Sequence, residues 1–167
     1  MKRISLISDT HGKLDPRAVE LMADSDEIWH AGDLGSMEVL EGMEKVALTR
    51  AVYGNIDDGA MRRALPLDLR FECEGVKVWM THIAGRPGKY PARIRQSLEA
   101  DPVNVFVCGH SHICLVQYVK QFNHIHLNPG ALGWHGLHKV RTMLQFELEN
   151  GRVEKMRVIE LGPRSRA

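Results

Sequence analysis

The order of apolar runs constrains this chain most. Strand-like and helix-like segments alternate up to about residue 65, after which nearly every apolar run is extended. Residues 3–8 (Arg-Ile-Ser-Leu-Ile-Ser) read as a strand, and 16–24 start at Pro16 and set Ala18, Val19, Leu21 and Met22 at helical spacing. The pair of signals returns as Glu27–Ala31 with Ser36–Met43, and as Ala47–Tyr53 with a short helical turn over Asp58–Leu65. Such alternation predicts a parallel sheet covered by helices. Further on, Leu69–Cys73 and Val76–Thr81 flank Glu74-Gly75 as a hairpin, and a helix over Pro91–Ala100 precedes the strand Val103–Cys108. Leu115–Val119, His124–Leu127, Thr142–Leu148 and Val153–Leu161 are extended, the last two joined by an Asn150-Gly151 turn. The expected fold is α/β, two sheets packed together with helices outside. A chain of 167 residues suits one core, so residues 1–161 are expected to form a single domain and 162–167 a frayed basic tail.

Charge and cysteine usage narrow the function classes. Lys plus Arg (22) nearly cancels Asp plus Glu (21), which removes a field-driven case for an extended nucleic-acid or membrane binder. Any attraction for an anion must be local. Three cysteines without C-x-x-C spacing form no disulfide framework; Cys73, Cys108 and Cys114 are expected as core thiols in a reducing cytoplasm. The first residues reach Asp9 after too few apolar positions for a signal peptide, so a cytoplasmic location is expected.

Asp, Asn and His collect where strands end. Asp9 and His11 follow the first strand, Asp33 the second and Asn55 the third; His82 follows the 76–81 strand, and His110 and His112 follow the 103–108 strand. Ligands bind outside the carboxyl ends of strands in open α/β sheets, so these seven groups are expected around one cleft. Two carboxylates, one amide oxygen and four imidazoles without a thiolate suit Mn, Fe, Zn or Ni. One ion cannot use all seven donors. Two ions about 3.5–4 Å apart can, if a carboxylate bridges them, and such a pair clamps the attacking and leaving oxygens of a phosphoryl displacement.

The ordered motifs Asp9-Thr10-His11, Gly32-Asp33, Gly54-Asn55, His82 and Gly109-His110-Ser111-His112, followed by Asn128-Pro129-Gly130, resemble the calcineurin-like metallophosphoesterase superfamily in its small single-domain bacterial and archaeal phosphodiesterase branch. The resemblance implies a four-layer α-β-β-α sandwich. It implies Asp9, His11 and His112 as ligands of one ion, Asn55, His82 and His110 of the other, and Asp33 between them. The catalytic residues on this reading are Asp33, Asn55 and His110. The implied cofactor is two divalent ions, manganese first, and the implied activity is hydrolysis of a small phosphodiester by a hydroxide held between the cations. A non-catalytic module like the retromer scaffold subunit, and a phosphomonoesterase or nucleotide pyrophosphohydrolase, are the alternatives. A homo-oligomer is compatible with the sequence, which fixes no number of copies.

The chain departs from its relatives at three places. Ile56 stands where many have a proton-donating His, His82-Ile83-Ala84-Gly85 replaces His-Gly-His, and Ala131 replaces a common Ser. Other residues have plainer expectations. His30 is expected in a supporting hydrogen bond, and His124 and His126, alternating on one strand face, in structural roles. Arg86, Lys89, Arg93 and Arg95 read as a solvated helix start, with a phosphate-positioning rim as the functional alternative carried by Arg86. His135 and His138 read as a solvated loop, His135 being the one offered to substrate. Trp29 and Trp79 are expected in the core, Trp134 partly exposed, and Asp57 capping the short helix after it.

Overall fold

The computed structural model describes residues 1–165. Strands β1 (Lys2–Ile7), β2 (Glu27–His30) and β3 (Leu48–Ala51) run parallel, linked by helices α1 (Pro16–Met22) and α2 (Met37–Glu44). A short α3 (Gly59–Ala64) leads to the hairpin of β4 (Asp68–Cys73) and β5 (Val76–Thr81), then α4 (Ala92–Ala100) and β6 (Val105–Val107). Four further strands close the chain: β7 (Cys114–Val119), β8 (His124–Pro129), β9 (Val140–Glu149) and β10 (Arg152–Pro163). They assemble as two five-stranded mixed sheets, ordered β10-β9-β1-β2-β3 and β4-β5-β6-β8-β7.

Three apolar layers separate four layers of structure. Between the sheets, Ile4, Leu6 and Trp29 of the first meet Val78, Met80, Val105 and Leu127 of the second. Outside the first sheet, Ile7 and Ile28 pack on Ala18, Met22, Val39 and Met43 of α1 and α2. Outside the second, Trp79 and Phe106 pack on Ile94 and Leu98 of α4. Central strands are therefore covered on both faces, and Ile4, Leu6 and Ile7 of β1 are buried to opposite sides of the sheet. The α-β-β-α sandwich expected from the sequence is the observed fold.

Local turn chemistry fixes the β4–β5 and β9–β10 hairpins. Glu74 and Gly75 have φ of 52° and 78°, Asn150 and Gly151 of 51° and 75°, the paired positive values that a two-residue type I′ turn requires. The expected frayed tail is corrected at its start: Gly162 and Pro163 still pair with Arg141 and Val140, and Arg164 donates to the Lys139 carbonyl. The last part of that expected tail, 166–167, lies outside the described residues. Trp29 and Trp79 are buried as expected, whereas Cys114 is only half-buried beside the buried Cys73 and Cys108. Among the described residues no helix is long and apolar enough to cross a membrane.

At one end of the sandwich, Glu27 is enclosed with its charge intact. Burial pushes its carboxyl up, but hydrogen bonds from Arg50 (2.8 Å), Lys2 (2.7 Å) and Trp29 (2.9 Å) outweigh that and hold it down at about 2. The contribution is present above the ordinary value of 4.5 and is lost as pH falls through that value toward 2. Glu27→Gln is expected to lower the thermal midpoint at neutral pH and to flatten the acid limb between pH 4.5 and 2, read from melting curves across that range. An unchanged acid limb would refute the role given to Glu27.

Candidate metal centre

The parallel strands of each sheet end on the same edge of the sandwich, and the expected donors sit on the turns that follow them. Asp9, His11, Asp33, His110 and His112 all adopt left-handed backbone, with φ of 55°, 48°, 58°, 67° and 61°. For a residue bearing a Cβ this costs about 1–2 kcal/mol, so the surroundings must over-determine it. They do so through main-chain bonds between turns: Asp9 N to Gly32 O (3.0 Å), His11 N to Asp33 O (3.1 Å), Gly12 N to Leu34 O (2.7 Å) and Gly109 N to His82 O (3.0 Å). Two glycines make the close approach possible, since a Cβ at Gly54 would overlap the Asp33 carboxylate and one at Gly109 the Ser8 hydroxyl.

Each buried carboxylate divides its oxygens between support and site. Asp9 Oδ2 accepts from Ser8 Oγ (2.5 Å) and from His110 N (3.1 Å), a bond that joins the two sheet edges. Its Oδ1 faces inward, 3.1 Å from His112 Nε2 and 3.9 Å from both His11 Nε2 and His82 Nε2. Asp33 Oδ1 accepts from Ile56 N (3.0 Å), while Oδ2 lies 3.2 Å from His82 Nε2 and 3.7 Å from His11 Nε2. Burial pushes both carboxyls up. Hydrogen bonds and the neighbouring imidazoles, His112 and His82 for Asp9 and chiefly His82 for Asp33, hold both below the ordinary carboxylate range.

The imidazoles are oriented to match. His82 Nδ1 donates to the Ala31 carbonyl at 2.7 Å, so its Nε2 points at Asp33 Oδ2 and at Asn55 Oδ1, 3.0 Å away. Burial lowers the His82 pKa, but Asp33 and Asp9 raise it further, and the net shift is upward. His11 is moved down, mainly by burial, and its buried Nε2 has no hydrogen-bond partner among the described residues. An unpartnered nitrogen between two ionised carboxylates is what a cation site needs. Asp9, His11 and His112 offer ligand atoms within 4.8 Å of one another, as do Asp33, His82 and His110, and Asn55 adds its amide oxygen beside the second group. The donor set fits two divalent cations.

All seven expected donors therefore meet. Of the two expected substrate contacts, the His135 ring stands 4.8 Å from that of His11, and Arg86 is exposed on a cavity of about 280 Å³ that it shares with His110 and Ser111. His124 and His126 lie buried under α4, both hydrogen-bonded to Tyr90 Oη (2.9 and 2.8 Å). His30 is buried and neutral, its pKa lowered to about 3 chiefly by burial; it accepts from Gly32 N and donates to Thr10 Oγ1.

Three supporting residues escaped the sequence reading. Asp57 does not cap α3, a task that falls to Asp58, which accepts from Met61 N. Asp57 is buried and accepts from Gly54 N (2.8 Å), Gly35 N (2.8 Å) and Leu34 N (3.2 Å), fastening the Asn55 turn to the Asp33 turn. Asn128 donates to Gly109 O and Ser111 Oγ, both at 3.0 Å, and holds the turn that carries His110. His138 is half-buried against His112 rather than solvated, and burial lowers its pKa. Asp57 stands two residues beyond Gly54-Asn55 and Asn128 opens the Asn128-Pro129-Gly130 stretch, and these positions were the only signals available for the two.

A family model described as the calcineurin-like phosphoesterase superfamily domain matches residues 1–151. A probable metallophosphoesterase of Methanothermobacter thermautotrophicus is 28% identical over 133 residues, which cover 77% of this chain and 76% of that one. Among solved structures, a novel archaeal phosphodiesterase superposes with a TM-score of 0.76 at 23% identity, over 95% of this chain and 99% of that one. Wild-type Vps29 of Entamoeba histolytica, complexed with zinc, superposes with a TM-score of 0.72 at 15% identity, over 96% and 98%. At these identities the structural likenesses establish a common fold alone.

Three substitutions separate the roles of the donors and of their support. Asp33→Ala is expected to lose more bound cation than Asn55→Ala, because the Asp33 oxygen faces both donor groups. Elemental analysis of the purified variants reads this, and the reverse order would refute it. Asp57→Ala frees three main-chain amides and is expected to cost on the order of 3 kcal/mol in denaturant unfolding.

Proposed function

Because the chain belongs to the calcineurin-like phosphoesterase superfamily, we propose that it is a phosphodiesterase dependent on two divalent cations, manganese first, with zinc, iron and nickel compatible with the same donors. One observation supports this above the rest: the inward oxygen of Asp33 stands between the two donor groups, 3.7 Å from His11 Nε2 and 3.2 Å from His82 Nε2, as a bridging ligand must. Bound there, the cations would supply Lewis acidity, activating water and neutralising charge that develops on the phosphoryl oxygens.

The chain's own residues do the rest. Asp9 and Asp33 bring two negative charges, so a cation pair keeps a net positive field that favours a singly charged diester. Main-chain bonds from Ile56 and His110 fix those carboxylates before substrate arrives, so little reorganisation accompanies the reaction. His135 and Arg86 stand at the entrance, where they can meet the free phosphoryl oxygens. Beside Asn55 and His82, a cavity of about 500 Å³ is lined by Tyr53, Leu67, Ile83, Pro91 and Ile94. Its two guanidinium groups are engaged elsewhere, Arg93 with Asp68 and Thr81, Arg62 with the carbonyls of Asp57 and Asn55. An uncharged, apolar ester group of a small diester suits this space.

Position 56 governs the leaving group. Ile56 is exposed and has no proton to give, so esters whose alcohol leaves as a stable anion are favoured. Purified protein supplied with Mn²⁺ is expected to hydrolyse bis(4-nitrophenyl) phosphate faster than 4-nitrophenyl phosphate. A dialkyl diester is expected to be slower than the aryl diester by about a hundredfold or more. Chelation should abolish turnover and Mn²⁺ restore it. A preference for the monoester would favour the phosphomonoesterase alternative. Protein carrying two ions that cleaves no ester under any metal supply would favour a non-catalytic interaction module.

A further inference from the structure

We propose that His138 is a positioning residue for the cation held by Asp9, His11 and His112: it accepts the Nδ1 proton of His112 and thereby turns the His112 Nε2 lone pair toward the centre. This rests on the reading of the centre as a cation pair. The Gly133 carbonyl can only accept, so His138 Nε2, 2.9 Å away, carries the hydrogen. A neutral imidazole protonated at Nε2 has its lone pair on Nδ1. With His112 Nδ1, 3.2 Å from that lone pair, donating to it, a neutral His112 keeps its Nε2 lone pair for a cation shared with Asp9 Oδ1, 3.1 Å away. His82 uses the same device in the other donor group, where the acceptor for its Nδ1 proton is the Ala31 carbonyl itself. His112 has an imidazole in place of a carbonyl, and that imidazole is fixed in turn by a carbonyl.

The loop is shaped for this contact. The two rings meet edge-on, with centroids 5.0 Å apart at 80°. Gly136 has φ of 129°, and a Cβ there would overlap His112 Nδ1, so only a glycine lets the loop lie over the ring. From the far side, Arg164 Nε donates to the His138 carbonyl at 3.0 Å and ties the loop to the last strand. Residues that fix the tautomer of a liganding His typically change metal affinity by about 10- to 100-fold when removed.

The test uses Zn²⁺ as probe, by calorimetric titration of the metal-free protein and by NMR of ¹⁵N-histidine-labelled, zinc-loaded protein. His138→Ala is expected to weaken one of the two Zn²⁺ ions by about 10- to 100-fold and to leave the other unchanged. His138→Asn, whose Oδ1 can accept from His112, is expected to recover most of the loss. In the wild type, a through-hydrogen-bond coupling between the Nδ1 nuclei of His112 and His138 is expected. Wild-type affinity for both ions in His138→Ala, or no such coupling in the wild type, overturns the assignment. If His138→Ala does not fold, the wild-type coupling decides alone. A wild type that binds two Zn²⁺ ions and cleaves no diester overturns the phosphodiesterase reading and leaves this one standing. A wild type that binds a single ion overturns the pair, and the coupling still decides the role of His138.

Discussion

Two ionised carboxylates buried at the meeting of two sheet edges are the condition on which the rest of this structure depends. Leaving water costs a carboxylate several kcal/mol unless its oxygens find donors or opposite charge. Here each acid gives one oxygen to the protein's own N–H or O–H groups and turns the other toward imidazole nitrogens. The inward oxygens of Asp9 and Asp33 converge on imidazole nitrogens, among them the unpartnered His11 Nε2, so the centre is electrostatically incomplete without positive charge. The sheets, the turns and the glycines beneath them serve to keep that incompleteness in place.

Strain and rigidity are coupled in the same region. Five of the donor residues hold left-handed backbone, and a single turn in that conformation would relax if it stood alone. None stands alone. The Asp9 turn is bonded to the Asp33 turn, the Asp33 turn to the Asn55 turn through Asp57, and the His110 turn to Asp9 and to Asn128. The Glu27 cluster stands at the opposite ends of the same strands, so the first sheet carries compensated charge at one end and the donor centre at the other, around an apolar middle.

What could be read from the sequence divides along the range of the interactions. Strand-helix alternation, the two positive-φ hairpin turns and the appearance of Asp, Asn or His at strand ends are local signals, and they carried the architecture and the donors. Asp57 was not legible because the amides it satisfies include Leu34 and Gly35, which only the fold brings near. It resembles a helix cap, and its neighbour Asp58 does that work. His138 hid for a related reason, since nothing in a glycine-containing loop announces a partner on β6's far turn. The end of β10 was missed because its partner strand begins with Val140 and Arg141, and Arg141 is buried by pairing with Asp15 at 2.7 Å, a polar contact that no apolar pattern reveals.

The joints between the Asp9 and Asp33 turns, and between His82 and the His110 turn, are made by main-chain amides and carbonyls. Peptide groups are common to every residue but proline, so such joints survive wholesale replacement of the side chains around them. A lineage built this way can change nearly its whole surface and much of its interior while the coordinates of a few acids and imidazoles stay put. That accounts for a shape held in common with proteins that agree at fewer than one position in four.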